Sequence, residues 1–285
     1  MAMTNIQQEL WAQTLKTLLE DKLIARQICD TNIVKGAGDT WHIITMGEVS
    51  SANYSDAVPI TYAATDDANT SITNQVDEVV PLVIHDSVKK QTTINWVDSY
   101  ITRGSYVLNK KIETGVLGLY GSAGNDFYES GTTPWQFTVT TCADVGPFFA
   151  KLNKLATELN WPNQGRYIVG PSGFQEACMT YLGNRATGVG DRVIVGGVEG
   201  LSIGGFTVFF SNNCTTGSSV THGLAGVMGD GIALGIDIDP SQVEMMRAEG
   251  AYADLVRMRA RAAYGVYRSS TLVDVNFNET VVALS

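Results

Sequence analysis

Apolar residues first recur at helical spacing within residues 4–26. Leu10, Trp11, Leu15, Leu18, Leu19, Leu23 and Ile24 fall mostly three or four apart, which predicts an amphipathic helix at the start of the chain. The period then changes. Gly36 and Gly38 mark a turn, Trp41, Ile43 and Thr45 alternate as in a half-exposed strand, and the sequence stays largely polar and extended to about Ile84. About fifty residues with strand signals at both ends and little apolar material between them read as a long projecting hairpin, which buries little by itself.

Helical spacing returns over residues 87–119, through Ile94, Val97, Tyr100, Ile101, Val107, Leu108, Ile112, Val116 and Leu119. Gly104, Gly115 and Gly118 each lower intrinsic helicity there by about 1 kcal/mol relative to Ala, so tertiary contacts must hold this helix. A cleaner stripe of Phe148, Phe149, Leu152, Leu155, Ala156 and Leu159 predicts a helix from Val145, with Asp144 as N-cap, Pro147 in the first turn and Trp161-Pro162 as the stop. "GRYIVGPSGFQEACMTYL" reads as a buried strand, a turn at Pro171 and a helix capped by Ser172. Strand signals follow at residues 192–195, 201–203, 206–211 and 224–228. Residues 241–261 read as a late helical segment, and "AAYGVYRSSTLVDVNF" as closing strands. This mixture lacks the alternation of a parallel doubly wound sheet and predicts the α+β class.

Composition narrows the picture. A chain of 285 residues with 44% hydrophobic residues can bury a substantial core, as one large domain or two subdomains. No segment approaches eighteen consecutive apolar residues, and Gln, Glu and Lys run through the first 27, so neither a membrane span nor a signal peptide is expected and synthesis in a cytosol is the simplest inference. Cys29, Cys142, Cys178 and Cys214 are far apart and form no C-x-x-C, which favours small buried hydrophobes over a disulfide framework or zinc module. A net charge of -10 disfavours a surface built to grip nucleic acid, but not the enclosure of nucleic acid without adhesion.

The search for chemistry yields no catalytic, cofactor-binding or metal residues. Gly229, Gly231 and Gly235 form G-x-G-x-x-x-G after an apolar strand, yet a dinucleotide site needs a helix beginning inside the motif and an acidic residue about twenty positions on. Pro240 interrupts instead, and Asp237 and Asp239 lie too close, so turn glycines are the expectation. Gly196, Gly197, Gly200, Gly204 and Gly205 lack the lysine of a phosphate loop. His42, His85 and His222 have no metal spacing, Asp230, Asp237 and Asp239 do not follow a calcium loop, and Asp66-Asp67 read as surface charge.

The order of these pieces carries more information than any one of them. A terminal amphipathic arm precedes "AGDTWHIITMGEV", a long polar hairpin, "VDEVVPLVIHDSVKKQ", a long helix, "GRYIVGPSGFQEACMTYL", "GLSIGGFTVFFSNNC" and "RAEGAYADLVRMRARAAYGVYRSSTLVDVNF". Over nearly the whole chain this resembles the major capsid proteins of tailed bacteriophages, the HK97-like family. The resemblance implies an N-arm at 1–35, an extended E-loop hairpin at 36–86, and the spine helix with most of the P-domain at 87–190. It places the A-domain at 191–261 and C-terminal strands returning to the P-domain at 262–285.

By resemblance the function is that of a structural major capsid protein, not an enzyme, which self-assembles into an icosahedral shell enclosing phage double-stranded DNA. Its partners would be other copies of itself in hexamers and pentamers, separate scaffolding, portal or decoration proteins, and packaged DNA held without sequence-specific binding. No cofactor and no membrane are implied. The location would be the virion, with host cytoplasm during assembly. The alternatives are an encapsulin-like nanocompartment shell of the same fold and, from a different class, a nucleotide-dependent enzyme using the 229–235 glycines.

Two departures from the family matter. Some members link subunits through an isopeptide bond from an E-loop lysine, but no lysine occurs between Lys35 and Lys89, so non-covalent joints are expected. Some carry a long amino-terminal scaffolding segment, whereas this sequence starts with its arm, so any scaffold is expected to be a separate protein or to lie outside this sequence. Residues 1–26 are expected to lie on an adjacent subunit and to be dispensable for the folded body.

Overall fold

The computed structural model describes residues 23–32, 39–47, 49, 51, 53, 67–86, 96–137, 144–183, 200–217 and 220–278. Two sheets organise them. The first is antiparallel and joins β1 (Thr40–Thr45), β2 (Ala68–His85), β11 (Ala253–Val266) and β10 (Val243–Arg247) in that order, with β9 (Ile232–Ile238) also pairing to β11. The second is seven-stranded, in the order β3 (Asn125–Phe127), β12 (Leu272–Phe277), β8 (Val220–Val227), β4 (Arg166–Gly170), β6 (Phe206–Phe210) and β5 (Ser202–Ile203), with β7 (Thr215–Gly217) on β8. Its β3–β12 and β4–β6 pairs are parallel and the rest antiparallel.

Among the described residues four α-helices accompany the sheets: α1 (Ala25–Ile28), α2 (Trp96–Leu117), α3 (Val145–Glu158) and α4 (Ser172–Gly183). On one side of the seven-stranded sheet, Phe148, Phe149 and Leu152 of α3 and Phe174 and Cys178 of α4 pack on Ile168, Val208, Ala225 and Val275. The strand alternation sends Tyr167, Val169, Phe209 and Leu224 the other way, where they meet α1, the end of α2 and β9. β4 is buried at every position, which is why "RYIVG" reads as a continuous apolar run flanking one Arg.

The spine helix α2 lies on the first sheet, and two of its glycines are explained there. A Cβ on Gly104 would stand 2.1 Å from Met258 Cε, and one on Gly115 would stand 2.1 Å from the Tyr264 hydroxyl. The lost helix propensity permits close approach of helix and strand. Leu108 of α2 then buries against Met258 and Ala260 of β11.

Two expectations change. Residues 241–261 are not helical: they form β10 and most of β11. Ala, Met, Leu and Arg favour helix by composition, but Arg257, Arg259 and Arg261 alternate with Val256, Met258, Ala260 and Ala262, and the period of two prevails because one face packs on α2. β4 shares a sheet with β6 and β8, across the expected cut at 190/191, and the cut at 261/262 falls within β11. β12 also joins the sheet of β4, β6 and β8. Asp144 occupies the N-cap position of α3 but makes no side-chain capping bond, while its carbonyl accepts from Phe148 N at 2.8 Å. The hairpin's strands lie where expected, as antiparallel β1 and β2. Most of the first helix, the strand signal at 192–195 and residues 87–95 of the spine lie outside the described residues.

Candidate functional site

The glycine motif at 229–235 is a passage from one sheet to the other. Gly229 (φ 69°) and Gly231 (φ 91°) turn the chain from β8 directly into β9, with no helix at the point where a pyrophosphate would need one. The chain's own Asp230 takes the donors nearby: its carboxylate accepts from Gly231 N at 2.9 Å, Tyr267 Oη at 2.8 Å and Arg268 Nη1 at 2.8 Å. Burial, and after it the bond to Asp230, pushes the Tyr267 phenol far above its usual range. Gly231 is also tightly enclosed, since a Cβ there would lie 2.5 Å from Thr271 Oγ1. Gly231→Ala should therefore destabilise the free subunit by about 1–3 kcal/mol through backbone strain alone, with thermal unfolding of the mutant unaffected by NAD or ATP. A ligand-dependent rise in its midpoint would instead restore the cofactor reading.

The other glycine group is also architectural where it is described. Gly204 (φ 59°) and Gly205 (φ 86°) form the two-residue turn between β5 and β6, as the primed hairpin turns require. Gly196 and Gly197 lie outside the described residues.

The predicted acids and histidines do not converge. Asp237 pairs with Arg261 at 3.1 Å, and Asp239 with Arg26 at 3.3 Å. Burial opposes ionisation of Asp239, but hydrogen bonds from Ser241 and the charge of Arg26 outweigh it and hold the carboxyl below its usual range. His42 and His85 lie on β1 and β2, whereas His222 on β8 stacks on Tyr120 at 3.9 Å and meets Asp274 at 2.9 Å. Burial raises the Asp274 carboxyl against the opposing effect of His222, and nearby Asp126 raises it further. Among the described residues no group of three or more His, Cys, Asp or Glu could hold a metal ion. Cys29 and Cys178 are buried thiols outside any disulfide, and burial pushes that of Cys29 well up.

The basic residues of the late segment are neutralised in place. Arg247 pairs with Asp86 and with Asp254 at 2.8 Å, Arg257 with Glu244 at 2.6 Å, and Arg259 with Asp77 at 2.6 Å. Arg261 reaches Asp237 and also Asp39, at the foot of the hairpin. Lys151 stands over the Trp135 ring at 5.0 Å, and Lys154 meets Glu158 at 3.6 Å. Exposed pairs of this kind are worth about 0–1 kcal/mol each. Their main effect is on surface potential.

Uncovered apolar surface concentrates on the first sheet. On the hairpin Ile44 is 71% exposed, Met46 84% and Val49 83%, and β2 and β10 add Val79, Val83, Met245 and Met246. β1 pairs only with β2 among the described residues, leaving an edge of backbone donors and acceptors beside these side chains.

Besides Asp274, the buried Arg166 and Glu113 were not singled out from the sequence. Arg166 donates to the carbonyls of Pro162 at 2.7 Å and Trp161 at 2.8 Å, closing the loop after α3. Glu113 is completely buried and accepts four hydrogen bonds. The available signal was a carboxylate set beside Ile112 and Val116, within the apolar arc of α2.

No family model matches the sequence, and no curated protein matches it. Solved structures do match. A structure from Mycobacterium phage Che8 superposes with a TM-score of 0.76 at 18% identity, covering 96% of this chain and 98% of that one. The capsid structure of Cyanophage P-SCSP1u gives 0.70 at 15% identity, covering 96% and 94%. The chain has the HK97-like fold. A third match is the asymmetric unit of the mature capsid of bacteriophage PhiM1, at a TM-score of 0.65 and 10% identity over 96% of this chain and 92% of that one.

Proposed function

We propose that this protein is a structural capsid subunit that self-assembles into a closed shell around phage double-stranded DNA. The observation that carries the reading is the end-to-end likeness to the cyanophage capsid chain, which spans 96% of this chain and 94% of that one. The uncovered edge and side chains of the hairpin support it, because a solitary subunit gains nothing from keeping such surface in water. Copies arranged as pentamers and hexamers would cover it. The internal ion pairing of the arginines supports a wall that contains DNA mechanically, since those cations are already neutralised and have few counterions to exchange for phosphate.

Electron microscopy of the purified protein tests this reading. Closed particles are expected, and boiling them in denaturing detergent without reductant should release single chains of 30.7 kDa. A ladder of multiples would reveal covalent joints. Absence of any assembly, combined with stabilisation by NAD or ATP, would overturn the proposal. Tight DNA binding by the free subunit, falling steeply with salt, would overturn the non-adhesive wall.

A further inference from the structure

Glu113 joins three parts of the chain that share no local sequence. Its Oε2 accepts from the backbone N–H of Ile24 at 2.5 Å and of Ala25 at 3.3 Å, at the entry to α1. Its Oε1 accepts from Ser211 Oγ at 2.7 Å and Asn213 Nδ2 at 2.9 Å, in the link between β6 and β7. Ser211 Oγ in turn accepts from Asn213 N at 3.2 Å. The carboxylate itself stands on α2, so one side chain ties the spine, the seven-stranded sheet and the root of the amino-terminal segment. Ile24, Ala25 and Ile28 complete the anchor by packing into the core shared by α2, Tyr167 and Leu234.

A carboxylate is suited to this post because it accepts on both oxygens and donates nothing, so it can satisfy four donors arriving from two sides. Moving the chain at Ile24 would leave Oε2 of a fully buried charge without these partners, an outcome that low local polarity makes unfavourable. The root is therefore fixed at Ile24 and Ala25.

We propose that Glu113 is a positioning residue for the amino-terminal segment: it fixes the chain at Ile24 and Ala25, and assembly depends on it through residues 1–22. This rests on the shell reading above, so the experiment separates the two. The first measurement is hydrogen exchange in the free wild-type subunit, which is independent of assembly. The amides of Ile24 and Ala25 should exchange as slowly as those of β4, and exchange at the rate of open amides would overturn the anchor directly.

The variants then address its consequence. In Glu113→Ala, exchange at residues 24–28 should accelerate by about tenfold or more relative to the strand amides of the same molecule, with particle yield lost. Glu113→Gln should retain most protection and yield, because its amide oxygen can face Ile24 and Ala25 while its NH2 donates to Ser211 Oγ. Ser211→Ala should leave residues 24–28 protected. In a chain lacking residues 1–22, Glu113→Ala should cause no further loss of assembly. An additional loss there would show that Glu113 acts other than through the arm, and unchanged exchange at 24–28 in Glu113→Ala would refute the proposal whether or not particles form. Should Glu113→Ala fail to fold, the wild-type amide rates and Glu113→Gln still decide: fast Ile24 exchange in either overturns it.

Discussion

Removing residues 1–26 should severely destabilise the subunit, whereas removing residues 1–22 should leave it folded. The sequence pattern suggested that the whole first segment is an appendage, but Ile24 is only 1% exposed and Ala25 only 4%, within the core beneath α2. Deleting an Ile of that burial costs about 2–5 kcal/mol. The cut also takes away two of the four donors on Glu113, and stripping partners from a buried charge costs about 3–5 kcal/mol more. Together these rival the whole stability of a typical domain, about 5–15 kcal/mol. Near-ultraviolet circular dichroism and urea unfolding of the two truncations provide the check. Equal stability of the pair would mean that Ile24 and Ala25 contribute nothing to the core.

Phe148→Ala is expected to have the next largest effect. The ring is fully buried and lies 5.0 Å from Trp135, 5.2 Å from Phe149, 5.3 Å from Phe174 and 5.4 Å from Phe127, measured between centroids. The Trp135, Phe149 and Phe127 contacts are edge-on, the arrangement that ring quadrupoles favour. These neighbours come from α3, α4, the end of β3 and the loop at Trp135, so no single element can move to fill the space. Loss of the ring should cost about 3–5 kcal/mol. Met46→Ala, at an exposed position on the hairpin, should stay within about 0.5 kcal/mol of wild type in the free subunit. Chemical denaturation of both variants tests the contrast. A loss below about 1 kcal/mol for Phe148→Ala would show a core able to collapse around the hole.

Local pattern made much of this architecture readable. β4, α3, α4 and the β5–β6 hairpin were visible because each is a short segment whose apolar period and turn residues agree. The long hairpin was visible for the opposite reason, its lack of apolar material. What failed was what depends on distant partners. β11 reads as helix by composition until its alternate residues are seen to face α2 and its edge to pair with β2 from His85 to Asn74. The sheet membership of β12 and β4 likewise follows from pairing across large separations, and no local signal marks a boundary there. For the candidate site, the absence of a helix after Gly231 was foreseeable from Pro240 and the spacing of the acids. The enclosure of Asp230 by Tyr267 and Arg268 was not, because those partners lie more than one element away.

β2 has a mechanical consequence of its own. Its eighteen residues form one continuous strand, about 60 Å long at about 3.3 Å per residue. The two-thirds from Asn74 to His85 is bonded to β11, and the remainder, Ala68 to Thr73, carries β1 outward. Such a strand is a lever whose fulcrum lies inside the body: by simple geometry, tilting the part beyond β11, about 20 Å long, by about 5° displaces its far end by about 2 Å while neighbouring atoms at the root move by a few tenths of an ångström. A surface that must bend sharply around some vertices and gently elsewhere can therefore be tiled by one sequence, with differences in curvature absorbed by small rotations at the base of the hairpin rather than by remodelling of either core.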